Sequence, residues 1–186
     1  MKDKIKRNNG IAILIAVTVV LAFVSNYVTL GSVNINLALI PIVVAACIYG
    51  PVAGLILGLV DGLIICIAPS TLTYFMPHNP LLTIILCLVK TGVGGYVSGL
   101  VYSLFKTRNQ SLGVLLASIA LPIVNTSIFL LGVFGFFVPV YISIQGSSEH
   151  IFKFIILSTL TINFLIEFIV NILLSSSIYR IIKIKR

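Results

Sequence analysis

The stretch NINLALIPIVVAACIYGPVAGLILGLVDG, residues 34–62, decides how this chain folds. Two apolar runs meet at Gly50-Pro51, with asparagines ahead of the first run. The second run carries Gly54, Gly58 and Gly62 four residues apart, and Asp61 where only lipid or packed protein is expected. Glycines at that spacing share one helix face and form a strip against which another backbone can pack. Proline halts one helix and fits the first turn of the next, so Gly50-Pro51 reads as a tight turn between two spans. The strip and the turn together are expected to let the second and third spans pack closely.

The rest of the chain has the same character. It is 59% hydrophobic and 9% charged, with a mean hydropathy of +1.21, which excludes an ordinary soluble domain. Apolar runs long enough to cross a hydrocarbon core about 30 Å thick recur throughout, leaving room for about six spans and short loops. The formal charge of +8 invites a nucleic-acid reading, but the positions of the charges oppose it. Lys2, Lys4, Lys6 and Arg7 open the chain, Lys106 and Arg108 lie centrally, and Arg180, Lys183, Lys185 and Arg186 close it. This is the positive-inside pattern, with some attraction to anionic lipid headgroups. Cys47, Cys66 and Cys87 stand singly in apolar runs, so neither a disulfide framework nor a metal site is indicated, and no cofactor is expected.

Working outward, the first span is expected at residues 10–29, retained rather than cleaved as a signal peptide. It carries Ala12 and Ala16 on one face. A short polar loop at 30–36 leads to span two at 35–49, where Pro41 is tolerable if neighbours satisfy the carbonyl it frees. Span three covers 52–68, and an outer loop at 69–80 contains His78 and Asn79. Span four covers 81–105, with small residues at Gly92, Gly95 and Gly99, and a basic inner loop follows at 106–110. Span five, 111–138, is interrupted by Pro122 and Asn125-Thr126. A second outer loop at 139–150 precedes span six at 151–182. The expected fold is a single all-α membrane domain over 1–186, six transmembrane helices with both termini cytoplasmic.

An ionisable residue in a span costs about 2.5–3.5 kcal/mol on insertion scales, so it needs a partner or a wet cavity. Asp61 lies about ten residues up span three, roughly 15 Å by helical rise, and Lys90 lies at a similar depth in span four. They are placed to share a level, either as a salt bridge pinning two helices or as part of a site for an anionic or carbonyl group. Asn125 and Thr126 beside Pro122 form a second polar insert. Glu167 sits deeper, toward the cytoplasmic half, where helix packing accounts for it; with Asn163 and Asn171 it makes a polar stripe. No HExxH, GxSxG or Walker motif occurs, so an intramembrane enzyme lacks its parts and the chain does not hydrolyse ATP by the P-loop route. A stand-alone channel or facilitator would need polar groups along the whole path, whereas these gather mainly in one half.

Three tracts carry a resemblance: NLALIPIVVAACIYGPVAGLILG at 36–58, NPLLTIILCLVKTGVGGYVSGLVY at 79–102 and PIVNTSIFLLG at 122–132. Together they resemble the substrate-binding S components of energy-coupling factor vitamin transporters, and within that family look most like the branch handling pantothenate. The resemblance implies capture of a water-soluble vitamin at the outer face. It also implies docking onto a transmembrane coupling subunit with two ATPases, and toppling in the membrane to release substrate inside. Ala12 and Ala16 match the family's coupling face, with Ala22 further along, and the loop at 30–36 matches its gate. Expected substrate-binding residues are Asn34, Asn36, Asp61, His78, Asn79, Lys90, Asn125, Thr126 and Asn163. Lys90 suits a carboxylate-bearing substrate, which favours pantothenate over neutral pyridoxine or hydroxymethylpyrimidine.

Overall fold

The computed structural model describes residues 2–27, 29–30, 33–34, 36–145, 153, 155 and 164–184. The regular elements among these residues are helices and one short hairpin. Helix α1 (Lys2–Tyr27) leads into strands β1 (Thr29–Leu30) and β2 (Val33–Asn34), paired antiparallel with Thr29 opposite Asn34. Then come α2 (Leu39–Tyr49), α3 (Pro51–Cys66), a π-helical turn at Thr71–Phe75, and α4 (Pro80–Phe105). Helix α5 (Gln110–Gly132) passes through a second π-helical turn (Val133–Phe137) into α6 (Val138–Gln145), and α7 covers Leu165–Ile184.

Among the described residues four stretches are long and apolar enough to cross a membrane by length and composition: Lys4–Asn26, Pro80–Phe105, Gln110–Val140 and Leu165–Lys183. The two helices of the deciding stretch, α2 and α3, are shorter. Helix α2 is apolar on every side, and such a helix has no face to offer water. Here it is the hub. Leu39 and every residue from Pro41 to Cys47 are buried, and α1, α3, α4, α5 and α7 all touch it. Pro41 needs no rescue by neighbours, contrary to expectation, because α2 begins at Leu39. A proline in the first turn breaks no intrahelical bond.

Gly50 turns the chain with φ 97°, a left-handed value that favours glycine. The glycine strip of α3 faces α4 and not chiefly α2, which corrects the expectation that it serves spans two and three. A Cβ on Gly58 would fall on the Thr91 carbonyl, and one on Gly54 on the Gly95 carbonyl. One on Gly62 would lie 2.7 Å from the Cys87 carbonyl oxygen. Helix α4 reciprocates through Gly95 against Gly54 and Gly99 against Pro51, so the two helices run antiparallel at backbone contact. Ala46 of α2 closes on the same strip at Gly54.

Helix α5 continues the antiparallel order. Gly113 meets Tyr102, Gly94 meets Leu121, and Gly132 meets Leu86. The Ser98 hydroxyl donates to the Ala117 carbonyl at 2.9 Å, beside the turn that Pro122 disrupts. Exposed Lys4, Lys6, Arg7, Lys106, Arg108, Arg180 and Lys183 consequently gather at one end of the bundle, the basic end. The β-hairpin and the 67–79 connection mark the opposite end.

Both expected loops at that end are more helical than their polar letters imply. The 69–80 segment contains the Thr71–Phe75 turn, and residues 139–145 are helix rather than loop. Pro139 lies within the continuous helix that runs from α5 through the π-helical turn into α6, so its missing N–H leaves a carbonyl of the preceding turn without that donor. Val133, Phe137 and Val140 are buried in a cluster with Ile155. Residues 146–152 and 156–163 of the second loop and sixth span, except where stated, lie outside the described residues.

Gly58→Leu is expected to force α3 and α4 apart and to cost at least about 1–3 kcal/mol, the range for overpacking a tight contact. Gly135→Ala is the control, since a Cβ there meets nothing within 4 Å. Thermal unfolding of the purified chain in detergent should show a clear loss for the first variant and about 0.5 kcal/mol or less for the second. Equal midpoints would refute the seam.

Candidate functional site

Polar side chains collect toward the hairpin end of the bundle. The anchor is Asn36, just ahead of α2. Its Oδ1 accepts from the Ala38 N–H at 3.0 Å, which fixes the amide's orientation. Its Nδ2 then donates to Oδ2 of Asp61 at 3.0 Å. The next residue ties in α1, because the Leu37 N–H donates to Ser25 Oγ at 2.9 Å. The Ser25 hydroxyl in turn donates to the Leu21 carbonyl at 2.7 Å. One short polar segment thus holds α1, α2 and α3 together.

Asp61 is completely buried, and its second oxygen, Oδ1, has no hydrogen-bond partner among the described residues. An unmet acceptor in the interior is costly, so such an atom marks a place where a donor belongs. Lys90 stands at the same level, as its depth implied, yet the two do not close to the 4.0 Å of an ion pair. The Lys90 ammonium instead lies over the Phe129 ring, 4.9 Å from its centroid. This is a cation–π contact, which leaves the ammonium's own hydrogens available. The salt-bridge alternative for Asp61 and Lys90 is therefore not what the structure shows.

Glu167 is the residue that sequence reasoning left out of the site. It lies in the first turn of α7 and is 8% exposed. Its carboxylate faces the backbone amide of Asn36 and lies within Coulombic reach of both Lys90 and Asp61. The polar stripe with Asn171 was the signal that it faces protein: Asn171 is buried and donates to the Glu167 carbonyl at 2.9 Å.

Asn125 and Thr126 are buried on α5, and Asn125 Oδ1 also lacks a partner. Gly94 of α4 faces this turn of α5, where a Cβ on it would be in ordinary contact, 3.8 Å from that of Asn125. Phe129 follows one turn later, so Asn125 and the Lys90 contact lie on neighbouring turns. Phe75 of the 67–79 connection stands edge-on to Phe129 and Phe137, with centroids 6.1 and 5.4 Å away. The same connection is tied down by the Thr83 hydroxyl, which donates to the carbonyls of Phe75 and Asn79.

Of the remaining expected residues, Asn79 and His78 are not drawn into this group. Asn79 is exposed and caps α4, its Oδ1 accepting from the Leu82 N–H at 3.1 Å. His78 is exposed on the connection. Asn34 is placed by its backbone, in β2, and Asn163 lies outside the described residues. Ala12 and Ala16 are exposed on α1 beside Ile13, Val17 and Val20. Among the described residues no three His, Cys, Asp or Glu side chains converge as a metal ion would require.

This arrangement holds a ligand more readily than it transforms one. It offers one cation, two carboxylates and unmet acceptors, drawn from α3, α4, α5 and α7. A family model described as "ECF transporter, substrate-specific component" matches residues 10–179. No curated protein and no solved structure matches the chain.

The Asn36–Asp61 bond is expected to be felt as coupling between the two positions. A double-mutant cycle of Asn36→Ala and Asp61→Ala, read by reversible unfolding in detergent, should give about 0.6–1.7 kcal/mol of interaction energy, the range for side-chain bonds within membrane proteins. Strict additivity would show that the bond does not hold the segment to α3.

Proposed function

This chain belongs to the family of ECF transporter substrate-specific components, and from that membership we propose that it captures a water-soluble vitamin, pantothenate, at the outer face of a cell membrane. Members of this family are transport subunits and not themselves enzymes, and the small molecule and membrane setting follow from the family. The observation that carries the choice of pantothenate is Lys90: a half-buried ammonium over Phe129 with no carboxylate of the described residues at ion-pair distance. A carboxylate-bearing vitamin supplies the missing anion, and a charge-assisted hydrogen bond away from water is among the stronger contacts available. The tracts at 79–92 and 122–129, which place Lys90, Asn125 and Phe129, are the ones that resemble the pantothenate branch.

The proposed topology has six spans, α1, α2, α3, α4, α5 with α6, and α7, with both termini in a prokaryotic cytoplasm. Its support is the gathering of basic side chains at one end of the bundle, which the positive-inside rule assigns to the cytoplasm. The polar group then lies in the outer half. Transport would be energised by two ABC ATPases through a transmembrane coupling subunit. The contact with that subunit is assigned to Ala12 and Ala16, whose exposed, small side chains let another helix approach closely.

Lys90→Ala and Asn125→Ala are each expected to weaken pantothenate binding about tenfold or more, the value of one lost hydrogen bond to a charged or buried group, while membrane insertion is retained. Equilibrium binding to the purified chain checks this, and unchanged affinity in both variants would move the site elsewhere. Mass spectrometry of the small molecule that copurifies with the chain tests the vitamin directly. Ala12→Leu with Ala16→Leu should leave binding intact and reduce ATP-driven uptake in vesicles containing the partner subunits. Normal uptake would remove α1 from the coupling contact, and ATP-independent flux through the chain alone would overturn the transporter-subunit reading.

A further inference from the structure

The acids near Lys90 outnumber it. Asp61 on α3 and Glu167 on α7 both lie within Coulombic reach of Lys90, whose ammonium is seated on Phe129. If the ligand's only function were to neutralise Lys90, one buried carboxylate would already suffice, at less cost. Of the four buried side-chain atoms left unmet among the described residues, Asp61 Oδ1, Asn125 Oδ1 and Asn171 Oδ1 are acceptors, and the fourth, the Ser118 hydroxyl, can also donate. The Asn171 amide is fixed by its bond to the Glu167 carbonyl, and that of Asn36 by its two bonds, so neither supplies the missing donors by turning over.

We infer that Asp61, through its free Oδ1, and Glu167 are specificity residues that accept hydrogen bonds from hydroxyl groups at the uncharged end of the ligand. The orientation follows from charge. A ligand carboxylate beside Asp61 and Glu167 would meet two like charges, so it lies on the Phe129 side of Lys90. The opposite end of the ligand must then carry donors and no negative charge. Glu167, in the first turn of α7, also faces the Asn36 amide in the segment tied to α1. A site built around hydroxyl donors rejects an analogue that lacks them, because its acceptors are left unpaired.

This inference rests on the reading of the polar group as the substrate site, and its test separates the two. Equilibrium binding is measured on the full-length chain in nanodiscs with two ligand pairs. The first is pantothenate and N-(3,3-dimethylbutanoyl)-β-alanine, the same carbon skeleton without either hydroxyl. The second is pyridoxine and 4-deoxypyridoxine. For whichever pair binds, the hydroxylated member should bind about tenfold tighter or better in the unsubstituted chain. Glu167→Gln should narrow that ratio severalfold and Glu167→Leu further, the part that remains resting on Asp61, while affinity for the dehydroxylated ligand holds. That unchanged affinity also reports a folded variant, and Asp61→Asn provides the same comparison if the Glu167 variants do not fold. A ratio unmoved by these substitutions, or equal losses for both members of a pair, overturns the inference and leaves the vitamin reading standing. Binding of the pyridoxine pair alone overturns pantothenate, and the inference is then decided on that pair. Binding of none of the four overturns both.

Discussion

Everything in this structure depends on how closely α3 and α4 approach. Their backbones touch because Gly54, Gly58 and Gly62 on one side meet Gly95, Thr91 and Cys87 on the other. In a bilayer the lipid tails are as apolar as the side chains, so helix association relies on van der Waals fit rather than on expulsion of water. A glycine seam supplies that fit over a long contact. It also fixes an antiparallel register, and the register places Asp61 and Lys90 at one level.

The hub helix α2 turns this seam into a site. Being buried on all sides, it forces its neighbours to surround it, and its start at Leu39 presents Asn36 to Asp61. The cost of burying an acid is met partly by that amide and partly by Lys90 at longer range. Lys90 is itself held by an aromatic face and not by a carboxylate. Charges arranged in this way remain responsive to a ligand, whereas a closed ion pair would have satisfied itself.

The site is also joined mechanically to its surroundings. Ser25 on α1 holds Leu37, beside the Asn36 that holds Asp61, while Phe75 of the 67–79 connection rests on the Phe129 that holds Lys90. Helix α1 and the connection therefore each touch one side of the charged group. Since α1 also exposes Ala12 and Ala16, a single helix links the polar segment to the face proposed for docking.

Composition and spacing by themselves determined that this is a helical membrane chain, that α2 and α3 turn at Gly50, and that Asp61 and Lys90 share a depth. These are local or one-dimensional properties: hydropathy sets which segments leave water, charge sets which ends stay in it, and helical rise converts residue number to height. They were legible because each needs only the chain's own order. The partner of the glycine strip, the pairing of Asp61 with Asn36 rather than Lys90, the cation–π seat on Phe129 and the arrival of Glu167 were decided only by the tertiary structure. Each depends on the rotation of one helix about its axis relative to another. Residue count fixes a helix's height, but its azimuth is fixed only when side chains from all its neighbours pack at once.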